Sequence, residues 1–351
     1  MSIAIIGTGW GARIQVPAFR AAGLQVVALA GSDQAKTERI AGDLGVPFAT
    51  GDWRAVLARP DVALVSIVTP PDLHREMAAA ALAAGKHVLC EKPTALDAAQ
   101  ARAMLAAAQE RPRQLALIDH ELRFLPALIR ARQMLADGAI GAVRHVLFQV
   151  ISSSRADLAR PWNWWSDTAR GGGALGAFGS HQVDLLRYLL ADEVAAVAAS
   201  LHTFVAERNA ADGPRPVTSD DYYSLRLRFA RGPLATIECS SITRTNEPNS
   251  VTLYGAAGTL RWVGGKLLHI PPDGAPEDIT PAYEHATPAD LRGGDFPQGT
   301  LYLGHALRAF FAGDRAALAP AATFVDGLHT QQVLDAARAS DRQGGGFQPV
   351  G

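Results

Sequence analysis

The sequence predicts an α/β protein of two domains: a doubly wound parallel sheet over residues 1–119, then an α+β domain built on a large, mostly antiparallel sheet over residues 120–351. Three observations predict it. Short apolar runs alternate with helical stretches up to about Asp119. A glycine-rich turn follows the first of those runs directly. Beyond Phe124 the apolar period changes to two, in one strand after another. Length agrees, since 351 residues exceed one ordinary core and suit two domains.

Ile3-Ala4-Ile5-Ile6 makes the first strand, and Gly7-Thr8-Gly9-Trp10-Gly11-Ala12 follows at once. This is a G-x-G-x-x-G/A pattern with Ala12 in the third place. The first glycine permits a tight turn, the second lets the backbone approach a pyrophosphate, and the small third residue lets helix and strand pack closely. A helix from near Ala12 aims its amide groups and positive dipole end at the phosphates. Strand before and helix after identify a Rossmann dinucleotide site, with Gly7, Gly9, Trp10, Gly11 and Ala12 at the cofactor.

The second strand, 25–30, ends at Gly31-Ser32-Asp33, where an acidic residue for the adenosine ribose normally stands. Gly31 in that slot removes the repulsion a carboxylate would exert on a 2′-phosphate. Ser32 can donate to that phosphate, and Arg13 or Lys36 can supply charge, so the balance leans to NADP over NAD. Asp33 argues for NAD if the register shifts by two. Ser32 and Asp33 equally suit the N-cap of a helix over 34–44.

A buried strand at 62–68 ends in Thr69-Pro70-Pro71, and a helix over 73–84 is closed by Gly85. The run His87-Val88-Leu89-Cys90 is a buried parallel strand that delivers Glu91-Lys92-Pro93 to the carboxyl edge of the sheet, where open α/β folds bind ligands. Pro93 restricts Lys92 to an extended backbone. Thr69, Pro70, His74, Glu91 and Lys92 are placed with the cofactor crevice. A helix over 96–109 and a strand over 114–118 complete the domain.

In the second domain a helix reaches about Ala136, followed by strands at 143–150, 195–204, 222–229, 234–240, 250–254 and 259–263. No internal repeat is present. Segments 209–219 and 271–298, rich in Pro, Gly and charge, read as flexible or lid loops. One helix, 174–190, interrupts the strands behind Gly171-Gly172-Gly173. His181 and Asp184 stand three apart on it and share a face. Gly179 costs this helix about 1 kcal/mol against alanine, which points to close approach by a ligand or another backbone. His181 titrates near neutrality and is the proton-transfer candidate, although a histidine held in helix packing is the commoner role. Trp162, Trp164 and Trp165 offer faces to a sugar ring or to the core. Arg123, Arg155, Arg160 and Arg170 offer charge to a carboxylate or phosphate, or to solvent.

Net charge is −1, with no basic field for nucleic acid and no membrane-surface signature. Two cysteines, Cys90 and Cys239, imply no disulfide framework. The first strand begins at residue 3, which leaves no room for a signal peptide, and no apolar run is long enough to span a bilayer. A cytoplasmic protein with no metal site is the expectation.

Together the Gly7 turn, Thr69-Pro70-Pro71, Glu91-Lys92-Pro93, Arg123-Phe124 with Pro126, Gly138-x-Ile140-Gly141 before a strand, and Gly171 through His181-x-x-Asp184 resemble the glucose–fructose oxidoreductase / inositol dehydrogenase / rhizopine catabolism (Gfo/Idh/MocA) family over nearly the whole chain. The resemblance implies an open C-terminal sheet used for a homodimer or homotetramer. It implies hydride transfer between NAD(P) and a hydroxyl or keto group of a sugar, cyclitol or related polyol. The family's lysine maps to Lys92 and its helix histidine to His181. Its aspartate four residues before that histidine is replaced by Ala177, and Asp184, Asp167 or Glu121 stand as substitutes. The implied catalytic set is Lys92, His181 and Asp184, with Lys92, Arg123, Trp162, Trp165 and His181 at the substrate. A redox-silent nicotinamide-binding sensor or assembly protein and an NAD-dependent glycosidase are the other readings, the first motivated by Ala177.

Overall fold

Strands that are apolar on both faces need cover on both, and the first part of the chain supplies it with alternating helices. The computed structural model describes every residue except Asp290 and Arg292. In chain order its strands are β1 (Ser2–Ile6), β2 (Gln25–Ala30), β3 (Phe48–Thr50), β4 (Leu64–Ile67), β5 (His87–Cys90), β6 (Ala116–Ile118), β7 (Val143–Ile151), β8 (Val194–His202) and β9 (Glu207–Ala210). They continue with β10 (Gly213–Pro216), β11 (Tyr222–Phe229), β12 (Leu234–Ser240), β13 (Ser250–Gly255), β14 (Thr259–Val263), β15 (Lys266–Ile270), β16 (Glu277–Asp278), β17 (Ala322–Thr323) and β18 (Gln348–Pro349). The helices are α1 (Val16–Ala21), α2 (Gln34–Leu44), α3 (Trp53–Leu57), α4 (His74–Ala83), α5 (Ala98–Gln109), α6 (Pro126–Ala136), α7 (Ser180–Leu190), α8 (Asp295–Phe311) and α9 (Phe324–Arg342).

The chain forms two compact units. The first comprises Met1–Ala95, Ala99–Leu125 and Tyr283–Leu328; the second comprises Leu96–Ala98, Pro126–Ala282 and His329–Gly351. The first holds a sheet in the order β17-β6-β5-β4-β1-β2-β3. All its pairings are parallel except that of β17 with β6. Strand order reverses between β1 and β4, and the crevice at their carboxyl ends is where this topology binds ligands. The predicted parallel sheet is therefore present, with its strands shortened at β4 and β6 and with β3 and α3 added.

A single boundary at residue 119 does not describe these units. Residues 283–328, expected in the second domain, belong to the first. Leu303 and Leu307 of α8 share a core with Phe19, Leu29 and Leu64, each at most 2% exposed. Burying one such side chain contributes about 1.5–3 kcal/mol. Close approach is possible because α8 carries Gly304 there: a Cβ would lie 2.9 Å from Ala22 Cβ and 3.1 Å from Phe19 Cδ1.

The second unit is built on a nine-stranded sheet, β16-β15-β14-β13-β7-β12-β11-β8-β18. Only the β12–β7 pair within it is parallel. Two expected loops are more ordered than composition suggested. Segment 209–219 contains most of a hairpin, β9–β10, with Gly213 opposite Ala210. Segment 271–298 includes β16 and the start of α8, and its residues 290 and 292 lie outside those described. Among the described residues no helix is long and apolar enough to cross a membrane.

Candidate functional site

The glycine turn is built as its spacing predicts. Gly7 has φ +138°, and a Cβ there would stand 2.1 Å from the Val68 carbonyl oxygen. A Cβ on Gly11 would meet Ile5 Cγ2 at 2.7 Å, whereas one on Gly9 would meet nothing within 4 Å. Protein packing thus requires glycine at 7 and 11, while the space above Gly9 stays open to a ligand. The following helix begins as a π turn, Gly11–Gln15, before α1. Such wide turns occur often at functional sites. The donor set and the open backbone fit a dinucleotide pyrophosphate.

At the end of β2 a Cβ on Gly31 would strike Thr37 Oγ1 at 2.4 Å and Thr8 Cγ2 at 2.8 Å, so no acidic side chain fits that slot. Ser32 is exposed. Asp33, expected at the cofactor, caps α2 by accepting from the Lys36 amide at 2.9 Å. That is the helix-cap alternative realised.

Lys92 is the second residue after β5, and its peptide bond to Pro93 is cis. Two residues assigned to the cofactor have other work here. His74 is fully buried, with Nδ1 3.0 Å from the Pro93 carbonyl and Nε2 2.9 Å from that of Thr69. Burial holds its pKa below the usual histidine value, and a neutral ring donates to one of the two carbonyls. It ties the turn after β4 to the lysine turn. Glu91 is likewise buried and faces inward.

Sequence reasoning missed the network Glu91 joins. The parallel register that pairs Cys90 with Ile118 sets Glu91 beside Asp119, whose amide donates to the Cys90 carbonyl at 2.8 Å. Gln15, from the π turn, donates through Nε2 to Asp119 Oδ2 at 2.9 Å and to Glu91 Oε1 at 3.3 Å. Its own carbonyl accepts from Ser66 Oγ at 2.6 Å. Burial and then the Glu91 charge hold the Asp119 carboxyl well above the carboxylate range. Burial, Asp119 and Glu91 do the same to Glu121. Glu91 is raised by burial and eased by the Lys92 charge. The signal available in the sequence was position: Asp119 follows β6 as Glu91 follows β5.

In the second unit the glycine run is set by close approach. A Cβ on Gly172 would lie 2.4 Å from the Trp165 carbonyl oxygen. Gly173, at φ +111°, would place one 2.4 Å from Asp220 Oδ1. A second π turn, Leu175–Gly179, contains Ala177 and leads into α7. Gly179 faces Tyr223, whose hydroxyl donates to Gln182. His181 is 3% and Asp184 1% exposed. Asp184 Oδ1 lies 4.0 Å from Arg187 Nη1, the structural pairing that competes with a catalytic role.

Three expected substrate residues divide. Trp165 carries the Arg155 guanidinium over its ring at 3.9 Å and meets Phe178 edge-on at 6.1 Å. Trp162 instead belongs to the β9–β10 hairpin, donating from Nε1 to the Pro216 carbonyl at 3.0 Å. Arg123, 4% exposed, forms an ion pair with Asp326 at 3.0 Å inside the first unit, so the substrate role expected for it is replaced by a structural one. Burial opposes that carboxylate, but Arg123 and the Thr323 hydrogen bonds lower its pKa to about 2.

Comparisons with known proteins fit this geometry. Residues 1–118 match the model of an oxidoreductase family with an NAD-binding Rossmann fold, and residues 128–261 match a GFO/IDH/MocA C-terminal domain. Mouse (Mus musculus) glucose-fructose oxidoreductase domain-containing protein 2 is 34% identical over 357 residues, covering 97% of this chain and 91% of its own. An oxidoreductase domain protein from Kribbella flavida superposes with a TM-score of 0.87 at 31% identity, covering 99% and 98% of the two chains. Levoglucosan dehydrogenase in complex with NADH and L-sorbose gives 0.88 at 25% identity, covering 100% and 99%.

Proposed function

The chain belongs to the GFO/IDH/MocA oxidoreductase family, and we propose that it transfers a hydride between a nicotinamide cofactor and a hydroxyl or keto group of a sugar, cyclitol or related polyol. The observation that carries the proposal is Lys92 at the carboxyl edge of the sheet, with only β4 between its strand and that of the Gly7 turn, which fits a pyrophosphate. NAD(P) supplies the hydride acceptor or donor when bound. Lys92 then hydrogen-bonds the reacting oxygen and stabilises its developing negative charge. His181, at the start of α7 in the second unit, is the candidate proton acceptor. The Lys92 ammonium in turn eases the burial penalty on the Glu91 and Asp119 carboxyls behind it. The blocked Gly31 slot and exposed Ser32 support NADP over NAD.

Lys92→Ala is expected to lower turnover about 100-fold or more while leaving cofactor affinity within a few-fold. Near-normal turnover on the true substrate would remove Lys92 from the mechanism. A screen of sugars, cyclitols and sugar acids with NAD or NADP separates the classes. Net cofactor reduction marks a dehydrogenase, and glycoside cleavage without it marks a hydrolase. Cofactor binding without any turnover fits the redox-silent reading that Ala177 motivates.

We also propose self-association through the second unit's sheet. Leu147 and Leu234 stand 46% and 53% exposed on the paired strands β7 and β12, where a partner copy would cover them. Light scattering of the purified protein distinguishes a dimer or tetramer from a monomer.

A further inference from the structure

Three arginines gather where residues 152–170 cross the second unit, and one of them lacks an anion. Arg208 is 4% exposed and donates to the carbonyls of Arg155 at 2.6 Å, Asp157 at 2.8 Å and Arg160 at 3.5 Å. Arg160 donates to the Ser154 carbonyl. Both are held by neutral acceptors. The Arg155 backbone is fixed by its amide bond to the Ser241 carbonyl at 2.7 Å. Its guanidinium, half-buried on the Trp165 face, makes no hydrogen bond or ion pair among the described residues.

Burial, and then the charges of Arg160 and Arg208, push the Arg155 pKa down to about 9. The carboxylates nearby are used elsewhere. Asp157 accepts from the Ala159 amide, Asp220 from Leu175, and Asp221 from Phe204 and Val205. A narrow crevice beside the guanidinium is lined by Ser166 and Ser219 and by Asp220 and Asp221, the two carboxylates held by the amides just named. A half-buried cation is stabilised by an anion set against it. A guanidinium flat on an aromatic ring is pre-organised for bidentate capture of one.

We propose that Arg155, seated on Trp165, receives a carboxylate or phosphate group of the ligand, so that the molecule acted on is an acidic sugar rather than a neutral one. Trp165 meets Phe178, and Phe178 lies in the π turn that opens α7, so the anion seat and His181 belong to one continuous part of the same unit. The substrate assignment rests on the dehydrogenase reading; the anion seat does not.

The test titrates the full chain with inorganic phosphate, acetate and chloride at constant ionic strength, by calorimetry. Saturable binding of phosphate or acetate, but not chloride, is expected for the wild type, and the preferred anion separates a phosphoryl from a carboxyl ligand. Arg155→Gln is expected to weaken it about tenfold or more. If Arg155→Gln does not fold, Arg155→Lys, which keeps charge but loses the planar fork, is expected to weaken it about threefold or more. No saturable binding by the wild type, or unchanged binding in the variant that folds, overturns the proposal. Cofactor reduction is then compared for glucose, glucuronate and glucose 6-phosphate. Absence of all reduction with anion binding intact defeats the dehydrogenase reading alone. Preference for neutral glucose defeats the acidic-sugar assignment alone.

Discussion

Beside Lys92 the first unit gathers three buried carboxyls, whereas beside Trp165 the second gathers three guanidiniums, and the two clusters relieve their like charge differently. Burial raises the pKa values of Glu91, Asp119 and Glu121, which favours their neutral forms. Arg155 still carries its charge at neutral pH even with its pKa lowered to about 9. An acid cluster can therefore be complete within the protein. An arginine cluster of this kind is completed by something that binds.

Five substitutions break or sharpen that contrast. The largest effect is expected at Lys92, the cation beside the acids, through the turnover loss already given for Lys92→Ala. Next is Arg123, where the protein supplies its own anion. Removing a buried partner leaves an uncompensated charge, so Arg123→Leu is expected to destabilise the fold by about 3 kcal/mol in urea unfolding. Its ion pair also has a pH signature. The Asp326 carboxyl is at about 2 in the fold, below its ordinary value, so its stabilisation of about 2 kcal/mol is present above pH 4 and lost as pH falls through about 2. Asp326→Asn should flatten the acid limb of stability against pH over that range; an unchanged limb would place the acid sensitivity elsewhere.

The acid cluster has the opposite sign. Its folded pKa values lie above the unfolded ones, so its contribution is fully present below about pH 4 and declines as pH rises. Asp119→Asn keeps the shape and can still accept from Gln15. It is expected to leave stability unchanged at pH 4 and to raise it by about 1 kcal/mol at pH 8. A loss of stability at both pH values would mean the hydrogen bond, not the charge, governs that site. The smallest effect is expected at the adenosine end, where Ser32→Asp should shift the ratio of NADP to NAD affinity toward NAD by about threefold through charge repulsion. An unchanged ratio would take Ser32 out of cofactor choice.

Much of this was legible in the chain because it is local. The Gly7 turn, the β5 strand delivering Lys92, the Gly85 helix end and the alternation of β11 and β12 each depend on residues within a few positions. The misreadings share a different cause. His74 and Arg123 looked available because their partners, Pro93 and Asp326, are far along the chain. Gln15 drew no notice until packing set it against Asp119, 104 residues away.

What residue order determined alone was the menu of turns, the strand periods and the presence of a lysine and a histidine at element ends, since backbone sterics and apolar periodicity act over single turns. Only the tertiary structure decided that α8 completes the first unit, that three acids share one buried pocket of charge, and that Arg155 lies on Trp165 without an anion. Those outcomes depend on desolvation and on Coulomb interactions between distant segments, whose size is set by the packed environment and not by any one segment.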